Sequence, residues 1–195
     1  MSLLAEHTVL EVHRARRERR RLRRALAAQD RISARLAELF RVDELLEEAA
    51  HVVERGWLQH AWFTYTDPAG RSVRVTVCTP RVARELSAQG ISSACLVGAL
   101  VHAGGGPSQA RGQLVQHALD LTWHASFRHG DEPVRWCPSS TERLCRAVDL
   151  VRWNDHPART AGDVTALLHR ARGLTGAEIE SVRAQQRELT GVLDS

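Results

Sequence analysis

The sequence predicts a mainly α protein: a compact helical domain with one small β-hairpin and a long N-terminal basic helix. Three observations carry that prediction. Residues from about 3 to 40 contain no Gly and no Pro and are rich in Ala, Leu, Glu and Arg, a strongly helix-forming composition. Further along, apolar residues recur at helical spacing behind capping residues such as Ser139, Thr160 and Thr175. Alternation at period two is convincing in one place only, around residues 62–78. A chain of 195 residues, 43% hydrophobic and 26% charged, has room for one packed domain plus an extension.

The first helix carries the main electrostatic feature. Arg14, Arg16, Arg17, Arg19, Arg20, Arg21, Arg23 and Arg24 face a single acid, Glu18, so this stretch holds +7 while the whole chain holds +4 and has no lysine. The body of the protein is therefore slightly acidic. At 100° per residue these arginines cover about two-thirds of the helix circumference and leave only the Ala15–Leu22–Ala25 strip bare. One register spaces Leu4, Glu11, Glu18, Ala25, Ile32 and Leu39 seven apart, with Thr8, Ala15, Leu22, Gln29 and Leu36 between them. From Leu22 onward this is a seam that can pack against another helix.

Asp43 is expected to cap a second helix, with Leu45, Leu46, Ala49, Val52 and Val53 on its apolar face and Gly56 at its end. Residues 62–66 and 72–78, with Val73, Val75 and Val77 alternating, are expected to pair across the turn Asp67-Pro68-Ala69-Gly70. A lone hairpin is marginal, so it should lie against helices. Helices follow at about 81–88, 93–103 and 109–128, the second ended by Gly104-Gly105-Gly106-Pro107. A loop covers 131–138. Ser139 with Glu142 starts a helix that ends near Leu150, Thr160 with Asp163 starts another that closes at Gly173, and Thr175 with Glu178 starts the last. The expected divisions are 1–41, an arginine-rich arm; 42–173, the helical domain with its hairpin; and 174–195, a C-terminal helix.

Several motifs invite a chemical reading. His117, Asp120 and His124 fall at i, i+3 and i+7, with His102 and His129 on either side. Imidazoles seven residues apart lie about 10 Å apart on a straight helix, too far to share one ion. They read as scattered surface histidines, and no metal or other cofactor is expected. Cys95 lies near a helix start, where a thiol can be activated, yet Ala94-Cys95-Leu96-Val97-Gly98-Ala99-Leu100 is a small, apolar segment that marks a core cysteine. Trp136-Cys137-Pro138 and Cys145 lack the further pair that zinc needs. Trp57, Trp62, Trp123 and Trp153 read as core anchors. Residues 168–179 have the look of a repressor-type helix-turn-helix but are followed by too little chain for a recognition helix. No catalytic residue is assigned.

Three segments in order are Glu54-Arg55-Gly56-Trp57-Leu58-Gln59, Cys95-Leu96-Val97-Gly98-Ala99-Leu100, and Trp153-Asn154-Asp155 with Thr160 and Val164. Together they resemble a family of helical proteins common in actinobacteria and also met in phages, known as a domain of unknown function. The likeness spans residues 43–172 and excludes the arginine helix. It departs at His60, where a glycine is common in the family. The resemblance implies a single cytoplasmic domain and supplies no catalytic residues.

Gly98 inside an apolar helix costs about 1 kcal/mol against Ala, which a close helix–helix approach would offset. Trp57, Cys95, Trp153, Asn154 and Asp155 either line a polar pocket or, in the case of Asn154 and Asp155, stabilise their own turn. The absence of a long apolar run or a secretory leader points to the cytoplasm, with reduced thiols and no membrane contact. The functional expectation is a non-enzymatic interaction or regulatory protein that uses the basic arm to contact an acidic protein surface or to form a homodimer. Non-specific nucleic-acid binding through the same arginines is the alternative, and an enzyme using Cys95 or Asp155 is the third reading.

Overall fold

A computed structural model describes residues 3–77, 79–127, 134 and 139–193. Cys78, His129, the loop expected over 131–138 (Val134 excepted) and the Trp136-Cys137-Pro138 motif lie outside the described residues. The elements run α1 (Leu3–Arg55), β1 (Phe63–Thr66), β2 (Ser72–Val75), α2 (Pro80–Gln89), β3 (Ser93–Ala94), α3 (Leu96–Ala103), a 3-10 turn (Pro107–Gln109), α4 (Gln113–Phe127), α5 (Ser140–Asn154) and α6 (Ala161–Leu193). The chain is mainly helical with one small antiparallel sheet and a long N-terminal helix, as expected.

Two helices run longer than expected. α1 continues through Asp43 to Arg55. Asp43 caps nothing, because its carboxylate is taken up as a bidentate partner of Arg172, at 3.0 and 2.9 Å, and Arg172 also reaches Glu47 at 2.9 Å. α6 continues through Gly173 to Leu193. Thr175, expected as an N-cap, is buried and donates its hydroxyl back to the Ala171 carbonyl at 3.0 Å, a bond made inside a helix. With no turn near Gly173, the helix-turn-helix likeness has no structural counterpart.

Two compact units divide the chain, one of residues 1–38 with 179–195 and one of residues 39–178. The expected divisions at 41 and 173 therefore fall inside continuous helices. Within the second unit the core is built from Val42, Leu45, Leu46, Ala49, Val52 and Val53 of α1, at the spacing of one helix face. Leu96 to Val101 of α3 are buried, and Val115, Ala118, Leu119 and Leu121 of α4, Leu150 of α5 and Val164, Leu167, Leu168 and Ala171 of α6 join the same core.

The sheet has the order β2-β1-β3, with Phe63 opposite Val75 on one side and Ala94 on the other. Phe63, Tyr65 and Val75 face the core, so the hairpin is supported by helices as its length requires. Its turn is closed by Asp67, whose carboxylate accepts from the Ala69 and Arg71 amides at 2.9 and 2.8 Å. Val77 lies beyond β2 and is 70% exposed, so the alternation ends at Val75. Ser93 and Ala94, expected as the first turn of a helix, form β3 instead, and α3 begins after Cys95.

Gly98 does permit a close approach, but the neighbour is backbone of the strand segment. A Cβ there would collide with the Trp62 carbonyl, which accepts from the Cys95 amide at 3.1 Å. Ser139 caps α5 through the Glu142 amide at 3.1 Å. Thr160 and Asp163 form a reciprocal capping box: the Asp163 amide donates to the Thr160 hydroxyl at 3.2 Å, and the Thr160 amide donates to the Asp163 carboxylate at 2.9 Å.

Candidate functional site

Asn154 is the last residue of α5 and is fully buried. Its Oδ1 accepts from Trp57 Nε1 at 2.9 Å and from the Leu96 amide at 3.0 Å. Its Nδ2 donates to the Leu58 carbonyl at 3.3 Å and to Asp155 Oδ1 at 2.9 Å. Two acceptor and two donor positions are all an amide has, so the side chain is saturated. Two N–H donors on one side and two acceptors on the other also settle which way the amide points.

Each partner is a group that would otherwise be costly. The Leu96 amide is the first of α3 and has no acceptor within its own helix. The Leu58 carbonyl belongs to the irregular segment between α1 and β1. From the same segment Gln59 Nε2 donates to the carbonyls of Asn154 at 3.0 Å and His156 at 2.9 Å, at the end of α5. Arg74 of β2 closes the outside by donating to the Gln59 carbonyl. Asp155 Oδ1 accepts from the His60 amide at 2.9 Å, and its Oδ2 lies 3.5 Å from His60 Nδ1. His60 has φ 59°, the left-handed region that glycine adopts without strain.

Asn154 is thus a long-range staple across three segments: the strand approach at 57–60, the start of α3 and the end of α5. Of the five residues expected to share a site, Trp57 and Asn154 are bonded directly. Asp155 is one bond further on. Cys95 adjoins through its neighbour Leu96, and its Sγ accepts from the Gly98 amide at 3.3 Å as the cap of α3. Trp153 has a separate role: the Arg159 guanidinium lies 4.2 Å over its ring. Burial pushes the Cys95 thiol up to about 11, with the Gly98 amide pulling the other way more weakly, so it is protonated and inert at neutral pH.

The histidines of α4 are not on the surface: His117, Asp120 and His124 are 9%, 1% and 4% exposed. The cation that meets Asp120 comes from α5. Arg146 donates to Asp120 at 3.0 Å and Glu142 at 3.1 Å, with its guanidinium 4.6 Å over the Trp123 ring. Trp123 in turn donates to Asp149 at 3.1 Å. Among the described residues no three His, Cys, Asp or Glu side chains come together to hold a metal ion. A carboxylate set in the apolar run Ala118-Leu119-Asp120-Leu121 was a readable sign that a cation had to be brought to it.

The arginine stretch of α1 is helical throughout, and the eight side chains from Arg14 to Arg24 are all exposed. Arg14 pairs with Glu18 at 3.3 Å. Among the described residues no carboxylate lies within ion-pair distance of Arg16, Arg17, Arg19, Arg20, Arg21, Arg23 or Arg24. Leu22 and Leu26 are 55% and 50% exposed. No helix among the described residues is long and apolar enough to cross a membrane.

Residues 37–174 match a family of unknown function (DUF6197), and the chain belongs to it. The matched span holds the whole Asn154 network and the Asp120–Arg146 cluster, and it excludes the arginine stretch. No curated protein and no solved structure matches the chain.

Proposed function

For this family member we propose a non-enzymatic, cytoplasmic interaction protein that presents the arginine stretch of α1 to an acidic macromolecule. Kinship with helical proteins of actinobacteria and their phages is part of the same proposal. The observation that supports it is the set of seven exposed guanidiniums with no carboxylate of the described chain beside them. Charge left uncompensated at this density attracts polyanions over a Debye length. The Asn154 network supports the non-enzymatic part, because its polar atoms are spent on one another and its neighbouring thiol is protonated. Self-association through this stretch has less support, since a parallel pairing of two copies would oppose +7 to +7.

Retention on heparin resin tests the proposal. The wild-type chain should elute at clearly higher salt than a variant carrying Arg16→Gln, Arg17→Gln, Arg20→Gln and Arg21→Gln. Equal elution of the two would sink it.

A further inference from the structure

We infer that the acidic macromolecule is a nucleic-acid duplex, and that the arginine stretch of α1 lies along its groove and reads phosphate positions but no base sequence. This rests on the reading of the arm as a polyanion contact and adds the class of partner. The first argument is angular. Arg16 to Arg24 with Arg14 are exposed and cover about 220° of the helix circumference at 100° per residue. An acidic protein face meets one side of a helix, about a third of its girth, and would leave half of these charges facing water. A groove encloses a helix and presents phosphates on both walls. The major groove is about 12 Å wide, against about 10–12 Å for a helix with its side chains.

The second argument is linear charge density. Ten residue steps at about 1.5 Å each make the stretch about 15 Å long. A duplex carries one negative charge per about 1.7 Å of axis, so it offers about nine over that length. Seven net positive charges on the helix come close to that number. The bare arc, holding Glu18 and Leu22, then faces out of the groove, which places the one acid of the stretch away from phosphate. Single strands are disfavoured, because no aromatic residue interrupts the stretch to stack on unpaired bases. Arginines on both flanks of the helix meet the phosphates of both walls, and such contacts fix position while carrying no sequence information.

The experiment is fluorescence anisotropy of the full chain against three labelled probes: a 25-base-pair duplex of arbitrary sequence, one of its strands, and poly-glutamate of matched charge. Each is titrated across a salt series. For the duplex the plot of log affinity against log salt should have a slope of about −6, and the quadruple Arg→Gln variant about −3, with 0.9 lost per phosphate contact. Duplexes of different sequence should bind alike. Far-UV circular dichroism of the variant checks that its helix is intact, and Arg→Lys at the same four positions should restore the slope. Poly-glutamate binding as tightly as the duplex overturns the duplex inference and leaves the acidic-partner reading standing. Tighter binding to the single strand overturns it in the same way. Failure of all three probes to bind overturns both.

Discussion

Replacing Asn154 by Ala tests whether this residue is a structural staple. The substitution removes four hydrogen bonds at once: Trp57 Nε1 and the Leu96 amide lose their acceptor, the Leu58 carbonyl loses its donor, and Asp155 loses one of its partners. The Leu96 bond is buried, so its amide bears the full cost of an unsatisfied group, about 1–3 kcal/mol. Trp57, Leu58 and Asp155 are partly exposed, and water recovers part of their loss, leaving about 0.5–1 kcal/mol each. The expected total is about 2.5–6 kcal/mol, a large share of the about 5–15 kcal/mol that holds a domain together. Urea unfolding followed by Trp fluorescence and far-UV circular dichroism measures it, with the slope of the transition checked for constancy. Trp57→Phe removes only one donor and should cost about 1 kcal/mol. A double-mutant cycle between the two should return about 0.5–1.5 kcal/mol of coupling. If Asn154 instead lined a ligand pocket, its removal would leave stability unchanged or raise it. A loss below about 1 kcal/mol refutes the staple.

Further outcomes follow from the same geometry. A maleimide probe should label exposed Cys145 within minutes at neutral pH and reach Cys95 only after unfolding, as peptide mass mapping would report. Because burial raises the Cys95 thiol from 9.0 to about 11, its contribution to stability is intact below pH 9 and is lost as pH rises toward 11. Cys95→Ala should flatten that decline. His60→Gly relieves a left-handed backbone at φ 59° and gives up only an exposed contact to Asp155, so the melting temperature should rise, equivalent to about 0.5–1 kcal/mol; a fall would count against strain at this position. Gly98→Ala drives a methyl into the Trp62 carbonyl and should cost about 3 kcal/mol or more, whereas Gly173→Ala meets nothing within 4 Å and should stabilise α6 by about 0.5–1 kcal/mol. Thermal unfolding of the two variants side by side separates these signs.

What could be read ahead of the structure depended on how far each signal reaches along the chain. The arginine arm, the hairpin turn at Asp67 and the caps at Ser139 and Thr160 are local. Their donors and acceptors lie within four residues of one another, so residue types at fixed spacing are enough to find them. Gly98 was legible as a close approach but not as an approach to a strand, because an absent Cβ says that something is near without saying what. The left-handed φ of His60 is a property of the folded backbone that its residue type does not announce.

Asp43 and Gly173 show where local rules were overruled. Both have the chemistry of helix ends, yet Asp43 is held by Arg172, 129 residues away, and the helix around Gly173 carries on between buried Ala171 and buried Thr175. Packing on both flanks outweighs a capping preference of about 1 kcal/mol. The same distance hid the staple. Trp57 and Asn154 were singled out with no way to pair them, because their bond spans 97 residues. Composition and short-range spacing alone determined that this chain is helical, that it carries one hairpin, and that its positive charge is gathered near one end. Only the tertiary structure decided which helices are continuous, which carboxylate meets which arginine, and that Asn154 joins three segments, because those outcomes depend on groups that covalent order does not bring near each other.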